Sequence, residues 1–160
     1  MLHIDIVCIG KIKEKFFQDA INEYSKRLSK YCILNIIELQ DEKIPLSLNE
    51  NNENIIKQKE SNKILSHIKN GSYIICLDLT GKEFSSEELA QNINLLSLSG
   101  ITNITFVIGG SLGMSKELLD SANQKICFSK LTFPHQMIRV FLLEQLFRSF
   151  KILNGETYHR

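Results

Sequence analysis

The strongest constraint on this chain is an alternation. Short, β-branched apolar runs recur between longer stretches whose apolar residues return every three or four positions. The first spacing suits a strand and the second an amphipathic helix. Residues 2–9, 32–39, 73–79, 104–108 and 126–129 read as strands. Residues 14–29, 50–69 and 85–97, a short piece after Ser115, and a last stretch from Pro134 to about Leu153 read as helices. Strands and helices in strict alternation predict an α/β fold, a largely parallel sheet covered by helices on both faces. The run from Tyr73 to Leu79 is apolar nearly throughout, as a strand is when neither of its faces meets water.

Local signals mark the element ends. Ser85 followed by Glu88 is a capping box. Ser115 is a second helix cap. Pro134 can open a helix without losing a needed N–H. Asn154-Gly155 supplies a left-handed stop. In the first helix Phe16, Phe17, Ala20, Ile21, Tyr24 and Leu28 fall on one face, the expected core side. A length of 160 residues suits a single domain covering 1–160.

Composition removes several function classes. No apolar run reaches the roughly 18–20 residues that span a bilayer, so no membrane role is expected. The opening residues lack a basic region leading into an apolar one, so a secretory leader is not expected and a cytoplasmic location is. The four cysteines, at 8, 32, 76 and 127, form no C-x-x-C pair and read as buried free thiols. The histidines at 3, 67, 135 and 159 lack metal-ligand spacing, so no metal is expected. Net charge is +1, so the total says nothing in favour of nucleic acid, and no DNA partner is expected. Its distribution is uneven: residues 11–30 carry six Lys/Arg against three acids, and residues 128–160 carry five against two. Residues 38–60 reverse the balance, with three against six.

In a parallel sheet, ligands bind beyond the carboxyl ends of strands. The loops after Leu79, Ile108 and Phe128 are therefore the places to look. Gly109-Gly110-Ser111-Leu112-Gly113 is either a tight strand-to-helix turn or a surface that a ligand approaches closely. It matches neither the Walker loop nor the dinucleotide fingerprint. The segment from Phe128 to Arg139 runs from a strand end into a proline-started helix. His135 and Arg139 share a face of that helix. Each has two readings: His135 as a cap or a recognition group, Arg139 as an ion-paired residue (with Glu144, for example) or a recognition group. The rest of the helix is apolar over more than one stripe, which fits a monomer core or a surface shared with a second subunit. Tyr158, His159 and Arg160 form either a frayed end or a group able to stack on a base and pair with phosphate.

The strings FVIGGSLG (106–113), FSKLTFPHQMIRV (128–140), LLEQLFRSFKI (142–152) and GETYHR (155–160) resemble the bacterial large-subunit ribosomal RNA pseudouridine N3-methyltransferases of the SPOUT superfamily. IGKIKEKFFQDAINEYSKRL (9–28) and LDLTGKEFSSEELA (77–90) resemble the same family. The resemblance implies a SPOUT-type sheet with a C-terminal trefoil knot, which periodicity cannot reveal. It implies a homodimer, S-adenosylmethionine as cofactor, and 23S ribosomal RNA in the large subunit or 70S ribosome as substrate. It implies cofactor contacts at Leu77, Gly109, Phe128, Ser129, Lys130, Leu131, Thr132 and Phe133. His135 and Arg139 become candidates for base or phosphate recognition, and Tyr158, His159 and Arg160 for completing the active site from a partner subunit. The proton acceptor stays open among His135, His159 and solvent.

Overall fold

Strands whose residues are apolar on both faces pair side by side and leave both faces to be covered. The computed structural model describes residues 1–158 in this way. In chain order the elements are β1 (Leu2–Ile9), α1 (Lys15–Leu28), β2 (Cys32–Leu39), α2 (Glu50–His67), β3 (Tyr73–Glu83), α3 (Ser86–Leu98), β4 (Asn103–Ile108), α4 (Lys116–Ser121), β5 (Gln124–Cys127) and α5 (His135–Leu153). The strands form one sheet in the order β2-β1-β4-β3-β5, with every pair parallel. The expected α/β architecture is present. β5 begins at Gln124, two residues before the apolar pattern suggests. Its start is set by backbone pairing with Ile75 of β3, which a hydropathy pattern does not register.

Alternate residues of the sheet feed two cores. Ile4, Ile6, Ile75, Phe106 and Ile126 pack with residues of α1, α3 and α5. Val7, Ile9, Cys76 and Val107 pack with Ile64 of α2 and Leu118 of α4. Helices therefore cover both faces. Within α5, Leu142, Leu143 and Leu146 are wholly buried. Burial of each such side chain is worth about 1.5–3 kcal/mol. The monomer core thus accounts for most of the apolar surface of α5, although Phe141 remains exposed. α1 departs from its expected pattern: Ile21 and Leu28 are buried, but Phe16 is 66% exposed and lies against Phe17.

The predicted caps form. Ser85 Oγ accepts from Glu88 N at 3.1 Å, and Glu88 Oε2 accepts from Ser85 N at 2.7 Å. Ser115 Oγ accepts from Leu118 N at 3.2 Å. Gly155 adopts φ +64, as a left-handed stop requires. All four cysteines are free and buried. Among the described residues, no helix is long and apolar enough to cross a membrane.

Candidate functional site

Parallel strands direct all their carboxyl ends to one edge of the sheet, so loops from neighbouring strands share a rim. β3 reaches this rim through an irregularity. Leu77 and Lys82 both pair with Ile126, so residues 78–81 bulge out of the ladder. Gly81 permits this: a Cβ there would lie 2.6 Å from backbone atoms of Lys125 and Ile126. The Asp78 carboxylate holds the bulge by accepting from Thr80 N at 3.0 Å and from the Thr80 hydroxyl.

The loop after β4 turns back on itself, with Gly113 N donating to Gly110 O at 3.0 Å. A Cβ on Gly109 would meet Met114 Cγ at 2.8 Å and the Gly113 carbonyl carbon at 3.3 Å. α2 buttresses this turn from behind. Ser61 Oγ accepts from Ser115 N at 2.9 Å. Glu60, only 4% exposed, packs so that a Cβ on Gly110 would sit 2.8 Å from its Oε1. Burial raises the pKa of the Glu60 carboxyl, while the Glu42 N–H that it accepts at 3.1 Å opposes the rise.

The loop after β5 is shaped by its own side chains. Ser129 Oγ accepts from Leu131 N at 3.0 Å, and Cys127 Sγ donates to Ser129 O at 3.1 Å. The Phe133 ring meets Phe141 edge-on at 5.5 Å.

These three loops enclose a cleft of about 560 Å³. Leu77, Gly109, Phe128, Ser129, Leu131, Thr132 and Phe133 line it together with His135. Lys130 is exposed and outside the lining. Asp78, Leu79, Met114, Cys127 and Ile138 also line the cleft without being named as site residues from the sequence, while Gly110 belongs to the glycine loop that the sequence singled out. Gly81 was the signal for the first two, since glycine inside a strand pattern marks a bulge. Met114, Cys127 and Ile138 look like ordinary core residues in sequence and give no signal. A second cleft, of about 330 Å³, lies on the far side of Phe128 and Phe133, against Phe84, Ser86, Glu144 and Gln145.

His135 opens α5 at the edge of the main cleft and is partly buried. A Cβ on Gly10 would lie 3.5 Å from its Nε2, so its ring borders the loop that follows β1. Burial lowers its pKa, the nearby Arg139 cation lowers it further, and Asp41 opposes both. Burial and the Arg139 cation thus both favour the neutral ring.

Arg139 is 1% exposed and has no surface with which to meet a phosphate. Its Nη1 donates to Glu38 Oε2 at 2.7 Å, and its Nη2 to Ile9 O at 2.8 Å and Gly10 O at 2.6 Å. Its ion-pair partner is Glu38 rather than Glu144, which binds Arg148 Nη2 at 2.6 Å. Tyr158 folds back on its own helix, with its hydroxyl 3.3 Å from Glu144 Oε1 and its ring edge-on to Phe147 at 4.9 Å. Burial, with help from Tyr24 and Glu144, raises its pKa to about 12. Through Glu144 it adjoins the second cleft rather than the main one. His159 and Arg160 lie outside the described residues.

Known proteins match this chain along nearly its whole length. The family model described as "Predicted SPOUT methyltransferase" matches residues 2–159. A protein of Clostridium novyi named "Ribosomal RNA large subunit methyltransferase H" is 60% identical over 159 residues, which is 99% of this chain and 100% of that protein. A protein of the same name from Clostridium acetobutylicum is 56% identical over the same shares. Among solved structures, a probable methylase family protein from Haemophilus influenzae Rd KW20 superposes with TM-score 0.52 at 13% identity, covering 98% of this chain and 70% of that one. The A. aeolicus TrmH/SpoU tRNA modifying enzyme gives 0.51 at 16%, covering 95% and 77%. These two likenesses concern the fold.

Proposed function

The chain belongs to the SPOUT methyltransferase family, and from that premise we propose that it moves a methyl group from S-adenosylmethionine to N3 of a pseudouridine in 23S ribosomal RNA. The observation that carries this reading is the meeting of three strand-end loops around one cleft. Its volume falls inside the roughly 300–1,000 Å³ of small-molecule sites. Its walls suit a nucleoside-like cofactor, with apolar side chains at Leu77, Leu131 and Ile138 and close-packed glycine backbone at 109 and 110. Leu77, Gly109, Phe128, Ser129, Leu131, Thr132 and Phe133 would hold the cofactor. Lys130, outside the lining, would face its polar end or the RNA. When bound, the sulfonium supplies an already activated methyl group.

The chain's own residues have two tasks. The loops fix the methyl donor in line with the base nitrogen; such orientation lowers barriers by roughly 7–11 kcal/mol in favourable cases. The N3 proton must go to an acceptor, and His135, partly buried on the lining of the cleft with its neutral form favoured by burial, is one candidate beside His159 and solvent. Arg139 serves as a positioning residue, joining the first turns of α5 to the carbonyls at the end of β1. In this reading the enzyme is a homodimeric single domain with a C-terminal trefoil knot. Tyr158, His159 and Arg160 of one subunit complete the site of the other, and the substrate is presented by the large subunit or 70S ribosome. Exposed apolar residues around the main cleft, Leu79 at 63% and Leu131 at 68%, favour cover by a second chain.

Nucleoside mass spectrometry of ribosomal RNA tests this. RNA from cells lacking the protein should lose one methylated pseudouridine, and purified protein with S-adenosylmethionine should restore it on isolated ribosomes. An unchanged nucleoside profile rejects the assignment.

A further inference from the structure

The loop after β1 has a composition and an anchorage that the cofactor cleft does not use. Residues 11–16 read Lys-Ile-Lys-Glu-Lys-Phe. Ile12 turns inward and packs against the larger core, and its N–H donates to Glu38 Oε2 at 2.8 Å. The same carboxylate takes Arg139 Nη1, while Arg139 Nη2 holds the carbonyls of Ile9 and Gly10. The loop is therefore fixed from beneath at Ile9, Gly10 and Ile12. With Ile12 anchored, Lys11 and Lys13 are left exposed on either side of it. Neither has a hydrogen-bond or ion-pair partner among the described residues. Lys15, by contrast, pairs with Asp19 at 2.7 Å. Glu14, the one acid in the segment, stands at the N-cap of α1. Phe16 follows, 66% exposed, its ring centroid 4.4 Å from that of Phe17.

A rigid loop with two unpaired cations and an exposed aromatic is the chemistry that grips single-stranded nucleic acid: cations on phosphates and a ring on which a base stacks. Its position fits that task, because a Cβ on Gly10 would lie 3.5 Å from His135 Nε2, and His135 lines the cleft. Lys130, likewise exposed, belongs to another loop of the same cleft. We infer that Lys11, Lys13 and Phe16 form an RNA-gripping surface beside the cleft, with the two lysines on backbone phosphates flanking the target and Phe16 stacked on a neighbouring unpaired base. The Arg139–Glu38 pair sets the loop in place before the RNA arrives. This rests on the reading of the substrate as ribosomal RNA.

The test uses full-length protein and ribosomes from cells lacking it. Methyl transfer is measured against ribosome concentration at several salt concentrations, and the affinity for S-adenosylmethionine is measured by calorimetry. Lys11→Gln with Lys13→Gln should raise KM for ribosomes and flatten the dependence of log KM on log salt by about 1.4, or about 0.7 for each phosphate no longer neutralised. Phe16→Ala should raise KM by about fivefold or more. All three residues are exposed, so thermal stability and cofactor affinity should match the wild type. An unchanged KM and salt slope, with wild-type transfer intact, overturns this surface and leaves the methyltransferase reading standing. No transfer by the wild type overturns both. Suppose instead that the variants fail on ribosomes but methylate a naked helix-loop fragment of the same RNA as well as wild type. The loop then docks on ribosomal protein, and the RNA assignment falls.

Discussion

Arg139 carries a charge into the interior, and its partners explain why it is tolerated there. Burying a guanidinium is costly unless it is paired and hydrogen-bonded. Glu38 supplies the counter-charge and two backbone carbonyls take the other bonds, although Nε has no partner. Removing one member of a wholly buried pair costs about 3–5 kcal/mol. Glu38 keeps 35% of its side-chain surface, so Glu38→Gln should lose about 3 kcal/mol, the low end of that range. Urea denaturation reads this directly, and a loss below about 1 kcal/mol would mean that the pair contributes little. His135 and Glu60 make a second pair of opposites. The lowered pKa of His135 gives stability that is present above its unfolded value of 6.5 and lost as pH falls through the folded value. The raised pKa of Glu60 gives stability that is present below 4.5 and lost as pH rises through the folded value. The melting temperature of His135→Gln should therefore gain on wild type as pH falls below 6.5, and that of Glu60→Gln should gain as pH rises above 4.5. Parallel curves for wild type and variants would exclude these groups as the titrating ones. If His135 is the proton acceptor, His135→Gln also lowers kcat by about 10²–10⁴.

At the scale of elements, the bulge of β3 decides where the cleft is. Its residues 78–81 can leave the ladder only because Gly81 clears the β5 backbone. Gly81→Ala forces backbone apart and should abolish cofactor binding as well as lower the melting temperature. Gly71→Ala is the control: nothing lies within 4 Å of its Cβ, and only its φ of +78 is strained, at a cost of roughly 1–2 kcal/mol. If both variants bind S-adenosylmethionine equally well by calorimetry, the bulge does not shape the site. The strand and helix order was legible because each element's hydropathy repeat is local. Ser85, Ser115 and Gly155 were legible because cap chemistry is local too. The burial of Arg139 was not, since its partners at 9, 10 and 38 are distant in sequence and appear only when β1, β2 and α5 meet. The exposure of Phe16 was hidden because it stands at one edge of the apolar arc of α1, about 140° round the helix from Ile21, and how far round the core reaches is set by distant packing.

At the scale of the whole molecule, the exposed surface is larger than a compact monomer's. A compact monomer of 18.4 kDa should expose roughly 8,200 Å², and this chain exposes 9105 Å². Leu79, Leu131 and Phe141, on or beside the clefts, are among the exposed apolar residues. In the proposed two-fold dimer, each subunit's tail would serve the other's site. The alternative is that the tail serves its own chain, as the hydrogen bond of Tyr158 to Glu144 allows. Complementation separates the two. One variant lacks residues 158–160 and keeps its cofactor loops. The other, Gly109→Val, keeps its tail but strains the glycine turn against Met114 and Gly113. Each should be inactive alone. Co-expressed, they give mixed dimers in which the truncated chain's cofactor loops meet the other chain's intact tail. Random pairing makes half the dimers mixed, each with one working site, so about a quarter of wild-type activity returns if the tail acts across the interface. If the tail acts within its own chain, no mixed site is complete and no activity returns, because every chain lacks either its tail or its cofactor.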